Sequence, residues 1–109
     1  MRIVGPNCIG MLNFRTKAGV TFMIPPPMDA PLPHAVGLVS QSGAIGSALL
    51  QAAEHGTVFS HMLTSGNAAD VDAADQIAYL AGDESCRAIA CVLESIPSSA
   101  RFIEAGQLA

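Results

Sequence analysis

The chain has 109 residues, half of them hydrophobic and 13% charged, so it suits one small globular domain and is too apolar for a disordered segment. A formal net charge of −4 and an aromatic content of 5% argue against nucleic acid and against an anionic membrane surface as partners. Three cysteines in no metal-ligand spacing, with no signal-like or membrane-length apolar segment, predict no metal site and a reducing, cytoplasmic location.

The first third of the chain predicts little regular structure. Residues 2–4 have the character of a short strand, residues 5–7 (GPN) carry a turn signal, and residues 20–24 predict a second short strand. Residues 25–33 hold five prolines in nine positions, and proline cannot continue a helix or a central strand. We expect an extended linker there.

A regular alternation of strands and helices begins at residue 35. Apolar runs predict buried strands at residues 35–39, 58–63 and 88–93. Apolar residues at helical spacing predict three helices, one that ends at Gly56, one over residues 72–81 and one from residue 98 onward. Strands and helices at this spacing require right-handed crossovers and therefore a parallel α/β sheet.

The expected strand order indicates where a ligand would bind. In a flavodoxin-like order, second–first–third, the sheet reverses between its first and third strands, and ligands bind in the crevice beyond the carboxyl ends of those strands. Residues 40–43 and 94–95 follow those ends. The pattern alone therefore nominates them as site residues.

The segment VSQSGA, residues 39–44, joins the first of these strands to a helix and has two competing uses. A nucleophile elbow needs small residues two positions away on each side of a serine, and Ser42 has Ser40 and Ala44 there. Such a hydrolase also needs an acid and then a histidine later in the chain, and the last histidine, His61, comes too early for that order. We therefore disfavour the hydrolase.

The second use is anion binding at a helix N-terminus. Unpaired N–H groups and the helix dipole make this end positive, and a protein with no external anion usually fills it with its own Asp or Glu. The helix at residues 72–81 is preceded and opened by acids, whereas residues 43–46 (GAIG) contain none. Gly43 and Gly46 would also let a ligand approach the backbone. A plain N-cap role for Ser42 stays open as the alternative.

Four motifs carry a resemblance to a known family: GPNCIG (residues 5–10), VSQSGAIG (39–46), SGNAADVD (65–72) and CVLES (91–95). In this order and spacing the chain resembles the NDP-forming acyl-CoA synthetases, which include succinyl-CoA synthetase α subunits and ADP-forming acetyl-CoA synthetases. It looks most similar to the acetate-type branch, through GNxxDVD. The likeness covers nearly the whole chain and is least in the proline-rich segment.

The resemblance implies a domain organisation and a fold. Residues 1–24 would be the tail of a CoA-binding Rossmann-type domain, with a short β-like segment, and residues 25–34 a proline-rich linker. Residues 35–109 would form an incomplete flavodoxin-like parallel sheet of three βα units. The chain would then be part of an acid–thiol ligase that carries a phosphoryl group on a histidine located outside it.

The resemblance also implies roles for single residues. The phosphate of the phosphohistidine would rest on a cradle made of Ser40, Ser42, Gly43 and Ala44. Glu94 would hydrogen-bond and orient the histidine. On the same grounds, Asn7 and Cys8 would lie near the thiol end of CoA.

Departures from the family pattern limit what this chain could do alone. His34, His55 and His61 match none of its motifs, and no ATP-grasp domain is present. CoA and ATP or ADP with Mg would therefore belong to the intact enzyme, with the rest of the synthetase as partner, and we expect no ligase turnover from this chain. The alternatives are a non-catalytic, ligand-sensing module of a protein acetyltransferase, or a truncated remnant.

Overall fold

A computed structural model of the chain describes residues 1–27 and 34–109. The described chain forms one five-stranded sheet with three helices. The strands are β1 (Gly10–Asn13), β2 (Ala18–Thr21), β3 (Ala35–Ser40), β4 (Phe59–Thr64) and β5 (Cys86–Val92). The helices are α1 (Gly43–Leu50), α2 (Ala73–Ala81) and α3 (Ser99–Leu108), and a 3-10 turn, Gln51–His55, follows α1.

The sheet order is β2-β1-β4-β3-β5. Strand β3 pairs in parallel with β4 on one side and with β5 on the other, which confirms the flavodoxin-like order second–first–third for the three predicted strands. Five of the six residues of β3, including the last four, are buried, because helices cover both faces of the sheet there.

Two hydrophobic clusters lie on opposite faces of the sheet. One packs α2 and α3 against the sheet and includes Val39, Ile77 and Leu80. The other packs α1 against the opposite face and includes Leu38, Leu50 and Met62. The odd and even residues of β3 thus serve different clusters, as the two-residue period of a strand requires. Among the described residues, no helix is both long and apolar enough to cross a membrane.

The N-terminal region departs from the prediction. No strand forms at residues 2–4, and the strand predicted at residues 20–24 is shifted to β2, which overlaps it only at residues 20–21. Strands β1 and β2 form an antiparallel hairpin, and β1 also pairs antiparallel with β4. The sheet is therefore mixed. Residues 2–4 contribute only an isolated bridge, from Val4 to Val71. The connecting turn has no Asn-Gly or Asp-Gly signal, and Lys17 supplies its positive φ of 56°.

Strand β5 also differs from its prediction as a buried strand. Ala88, Ala90 and Cys91 are exposed. Within the described ranges β5 has a single neighbour, β3, so an apolar run that reads as buried on both faces in fact forms an edge strand. The proposed linker at residues 25–34 falls mostly on residues 28–33, which lie outside the described residues.

Helix boundaries lie close to their predicted positions. The first helix is α-helical only to Leu50, and the 3-10 turn carries it on to Gly56, which adopts φ 90° and ends it as predicted. Asp72 is the N-cap of α2 and forms a capping box with Asp75. Ser98 caps α3 by accepting a hydrogen bond from the N–H of Arg101.

Candidate functional site

The turn between β3 and α1 is held by its own serines. Ser42 has an extended backbone (φ −94°, ψ 114°), and its Oγ accepts a hydrogen bond from the N–H of Ile45 at 3.3 Å. The Oγ of Ser40 donates to the carbonyl of Ser42 at 2.6 Å. Ser42 is therefore an N-cap, and Ser40 is the residue that fixes its carbonyl.

The tip of α1 presents backbone donors without an internal acceptor. The first turn of α1 contains no acid. In the part of the chain that the structure describes, the N–H groups of Gly43 and Ala44 donate to no protein atom. Unpaired N–H groups at the positive end of a helix form a site for an anion.

Gln41 lies within the nominated residues 40–43 but was given no role of its own, and its side chain connects the two strand ends. Its side-chain Oε1 accepts hydrogen bonds from the N–H groups of Glu94 and Ser95, and its Nε2 donates to the carbonyl of Ser95 at 2.9 Å. Its own N–H donates to the carbonyl of Val92 at 3.0 Å. The side chain is 8% exposed and fixes the backbone of Glu94 next to the α1 turn.

The first and third motifs lie side by side although about 60 residues separate them. Asn67 donates its N–H to the carbonyl of Pro6 at 3.0 Å, and Ala69 donates to Gly5 at 2.9 Å. The side-chain amide of Asn7 donates to Asn67 Oδ1 at 3.2 Å. At Gly66, with φ 54°, a Cβ would overlap the carbonyl oxygen of Asn7, so only glycine allows this close approach.

These segments enclose a cavity of about 580 Å³ at the carboxyl end of β3. Six residues predicted for the site line it: Asn7, Cys8, Ser42, Gly43, Ala44 and Glu94. Gln41, Gly66 and Asn67 line it as well. Ser40 does not line it and is fully buried, so the expected direct contact of Ser40 with a phosphate does not fit the structure.

The two glycines of α1 have a different use from the one expected. A Cβ at Gly43 would lie 2.8 Å from the Cβ of Ile9, and a Cβ at Gly46 would lie 3.3 Å from the Cβ of Ser40. Both glycines therefore let the N-terminal segment and β3 approach α1. Close approach of a ligand is not needed to explain them.

The charges around the cavity differ from those at the start of α2. The carboxylate of Glu94 is exposed and forms no hydrogen bond or ion pair within residues 1–27 and 34–109. At α2, by contrast, Asp75 is bound by Arg101 at 2.8 Å and by Arg2 at 3.1 Å. Partial burial alone would raise the pKa of Asp75, but the N–H of Asp72 and both guanidinium groups hold it below its ordinary value.

The hydrolase alternative does not fit this geometry. No histidine lines the cavity in the described part of the chain. His61 is 1% exposed and packs edge-on against Tyr79 in the core. Within the described residues Ser42 therefore has no histidine beside it to act as a general base, and this part of the chain does not by itself form a serine nucleophile site.

Comparison with known proteins agrees with the resemblance. The family described as "Succinyl-CoA ligase like flavodoxin domain" matches residues 33–109. Acetate–CoA ligase (ADP-forming) II subunit alpha from Pyrococcus furiosus is 37% identical over 105 residues, which are 95% of this chain and 22% of that protein. The 4-hydroxybutyrate–CoA ligase (ADP-forming) of Nitrosopumilus maritimus is 34% identical over 107 residues, 95% of this chain and 15% of that protein.

Solved structures show the same fold. A protein from Pyrococcus horikoshii OT3 superposes with a TM-score of 0.84 at 34% identity, covering 98% of this chain and 24% of that one. The dinucleotide forming acetyl-coenzyme A synthetase 1 of Ca. Korarchaeum cryptofilum, in complex with phosphate and ADP, superposes with a TM-score of 0.83 at 31% identity, covering 99% of this chain and 23% of that one. The chain thus spans about a quarter or less of these relatives, and it belongs to the succinyl-CoA ligase-like flavodoxin domain family.

Proposed function

We propose that the cavity at the tip of α1 binds a phosphoryl group during the reaction of an ADP-forming acyl-CoA ligase of which this chain is a part. The observation that carries the proposal is the pair of unpaired N–H groups, on Gly43 and Ala44, at the tip of a helix that has no acid in its first turn. Those donors line the same cavity as Glu94. An anion at this place would complete the hydrogen bonding of the helix end.

The backbone N–H groups and the serine hydroxyl would donate to different oxygens of the phosphoryl group. The N–H groups of Gly43 and Ala44 would donate to two phosphoryl oxygens. Ser42 Oγ already accepts from Ile45, which leaves its own O–H available to donate to a third oxygen. Ser40 would act indirectly, by holding the carbonyl of Ser42.

Glu94 would accept a hydrogen bond from the ring N–H of a histidine supplied by the rest of the enzyme. Its carboxylate has no partner in the described chain, and Gln41 fixes its backbone position. A carboxylate in that position would orient the imidazole and stabilise its protonated or phosphorylated form. Glu94 would thus orient the phosphorylated ring, and the cradle would hold the phosphoryl group.

Asn7 and Cys8 would form the wall of the cavity that faces the thiol end of CoA. Both line the cavity, and Cys8 is a half-buried free thiol. In the complete enzyme, CoA would supply the thiol that is acylated, and ATP with Mg would supply the nucleotide partner of the phosphoryl group. The residues that hold the rest of CoA and the nucleotide would belong to the remainder of the synthetase.

The free state of all three cysteines supports a reducing, cytoplasmic location.

Two findings outside the cavity support this function. The Korarchaeum relative was solved with phosphate and ADP, and it superposes on 99% of this chain. The family match begins at residue 33, just before β3, which supports our proposal that residues 35–109 belong to one flavodoxin-like domain.

A ligand-dependent melting experiment tests the phosphate cradle. A ligand that binds only the folded chain raises its melting temperature with concentration. We expect phosphate and sulfate to raise it more than chloride does at the same ionic strength, and the Ser42→Ala variant to respond less than the wild type. An equal response to all three salts would contradict the proposal. Ser47→Ala, in the same helix but outside the cavity, is the matched control.

A further inference from the structure

Asn67 lines the cavity at the tip of α1 and stands on the loop that follows β4. Strand β4 is the parallel neighbour of β3, and the N–H of Ser65 donates to the carbonyl of Ser40 at 3.1 Å, so the ends of the two strands are held level. Ligands in such sheets bind beyond the carboxyl ends of the strands. The loop of Asn67 therefore borders the same ligand space as the tip of α1.

Residues 7–9 lie between the tip of α1 and the loop after β4. A Cβ at Gly43 would lie 2.8 Å from the Cβ of Ile9, so one end of this segment packs closely on the helix tip. A Cβ at Gly66 would overlap the carbonyl of Asn7, so the other end packs closely on the loop. The segment thus joins the two walls of the cavity and fixes their relative position.

The side-chain amide of Asn67 has one atom in use and one free. Its Oδ1 accepts a hydrogen bond from Nδ2 of Asn7 at 3.2 Å. Its Nδ2, which carries two N–H donors, donates to no protein atom within residues 1–27 and 34–109. The bond from Asn7 therefore determines which end of the amide remains for a ligand, and that end is a donor.

The cavity has room for more than a phosphoryl group. Its volume is about 580 Å³, and small-molecule sites begin at roughly 300 Å³. Our proposed function places the phosphoryl group at the tip of α1 and the thiol of CoA near Asn7 and Cys8. A carboxyl carbon that passes from the phosphoryl group to the thiol must lie between these two walls. An acyl phosphate would therefore extend from the tip of α1 toward the wall that holds Asn67.

We propose that Nδ2 of Asn67 donates a hydrogen bond to the acyl carbonyl oxygen of an acyl phosphate in this cavity, an inference that rests on the proposed function. When a thiol attacks, its sulfur bonds to the carbonyl carbon and the carbonyl oxygen takes up negative charge. The bond from that carbon to the bridging oxygen then breaks, and phosphate leaves with the electron pair and the thiol proton, so that a thioester remains. A donor already fixed at the carbonyl oxygen stabilises the charge. Asn7, which holds Oδ1 of Asn67, is the positioning residue for this donor.

Two probes that differ at the carbonyl test this role: acetyl phosphate and ethyl phosphate, compared at about pH 8, where both are dianions. In titrations of the full chain followed by amide NMR, both should shift the backbone amides of Gly43 and Ala44. We expect acetyl phosphate to bind about three- to tenfold more tightly, which is the effect of one hydrogen bond. Only acetyl phosphate should shift the side-chain amide resonances of Asn67.

Two variants and a control separate the donor from a structural role. Asn67→Ala should bind the two probes equally, while its affinity for ethyl phosphate stays within about twofold of the wild type. Asn67→Asp keeps the acceptor for Asn7 but has no donor, so it should also lose the preference, although its charge weakens binding of both probes. Gln107→Ala, on the exposed surface of α3, is the control and should keep the preference.

The outcomes distinguish this inference from the proposed function. Equal affinity for both probes in the wild type, or a preference that survives in Asn67→Ala, would overturn the role of Asn67. Shifts at Gly43 and Ala44 in the same titrations would still support the phosphate cradle. Binding of neither probe would contradict the cradle and, with it, the role of Asn67.

Discussion

Helices α1 and α2 both begin just beyond the carboxyl ends of parallel strands, but their N-termini differ in charge. The start of α2 is filled: Asp72 and Asp75 form a capping box, and Arg101 binds both carboxylates. The start of α1 has one serine cap and no acid, and it faces a cavity. The positive end of the helix dipole is thus paired with the protein's own acids at α2, whereas at α1 it is available to a ligand.

The comparison also explains how each end is supported. At α2 the supporting residues are charged and come from the N-terminal segment and α3, through Arg2 and Arg101. At α1 the support is neutral and comes from Gln41, which bonds to the end of β5. Neutral support leaves the electrostatic potential at the helix tip uncompensated, which a site for an anion requires.

The largest expected effect concerns this neutral support. We expect Gln41→Leu to lower the free energy of unfolding by about 2–3 kcal/mol, because it removes three hydrogen bonds and leaves the N–H groups of Glu94 and Ser95 without their acceptor. Urea unfolding measures the change. Gln51→Leu, on the exposed side of the 3-10 turn, is the control. A loss below about 0.5 kcal/mol would show that Gln41 does not hold this strand end.

The filled helix end is tested by removing its cap. Asp72→Ala should lower the free energy of unfolding by about 1–2 kcal/mol, because the N–H of Asp75 loses its acceptor and Arg101 loses one carboxylate. Asp72→Asn keeps the capping oxygen and should lose less than half as much. Thermal unfolding of the two variants distinguishes the cap from the ion pair. Equal losses would mean that the charge, and not the cap, stabilises α2.

The open helix end can be converted into a filled one. Ala44→Asp places an acid in the first turn of α1 and should weaken phosphate binding at least about tenfold, while it raises the stability by about 0.3–1 kcal/mol. Ala48→Asp adds the same charge near the other end of α1 and should weaken phosphate binding less than about twofold. Calorimetric titration with phosphate measures both. Similar losses in the two variants would indicate a general charge effect in place of a cradle.

A smaller effect is expected at Glu94, with the opposite sign. We propose that Glu94 orients a histidine from the rest of the enzyme. In this chain that histidine is absent, so the negative charge of Glu94 should repel free phosphate in the cavity. Glu94→Gln should therefore tighten phosphate binding by about two- to fivefold at low salt. The gain should disappear in high salt. Weaker binding by Glu94→Gln would indicate that Glu94 contributes to the phosphate site in some other way.

The dependence of stability on pH separates the core histidine from the acids of the filled helix end. The pKa of His61 is lowered by burial, so the unfolded chain takes up that proton more readily, and stability should fall as the pH drops below about 6.5. Asp75 also has a lowered pKa, so its contribution is present above about 3.8 and is lost as the pH falls further. His61→Phe should remove only the first loss in urea unfolding between about pH 7.5 and 3. A loss near pH 6 that persists in this variant would assign it to another group.

Much of the fold was predictable because strand and helix periods are local signals. The runs at residues 35–39 and 58–63 lie within a residue of β3 and β4, and Gly56 ends the first helix as expected. The β1–β2 hairpin was not predicted, since its turn relies on Lys17 at positive φ and lacks a glycine signal. The exposure of β5 was missed because apolar composition does not reveal how many neighbours a strand has.

For the site, the sequence indicated the motifs but not the contacts between them. Of the seven residues that were given a role by the resemblance, six line one cavity and Ser40 does not. Gln41 stands inside the VSQSGA segment, yet nothing local indicates that its side chain bonds to residues more than 50 positions away. The sequence also did not indicate that Gly43 and Gly66 allow close contact between distant segments of the chain, because this depends on Ile9 and Asn7 lying next to them in the fold.

The most direct test of the central claim is a phosphate titration of the chain followed at individual backbone amides. Our account predicts saturable shifts at Gly43 and Ala44, at the tip of α1, and none beyond the effect of ionic strength at Ala73 and Ala74, in the first turn of α2. Equal shifts at both helix ends, or no shift at Gly43 and Ala44, would show that the open end of α1 is an ordinary serine cap and would contradict the proposed phosphoryl site.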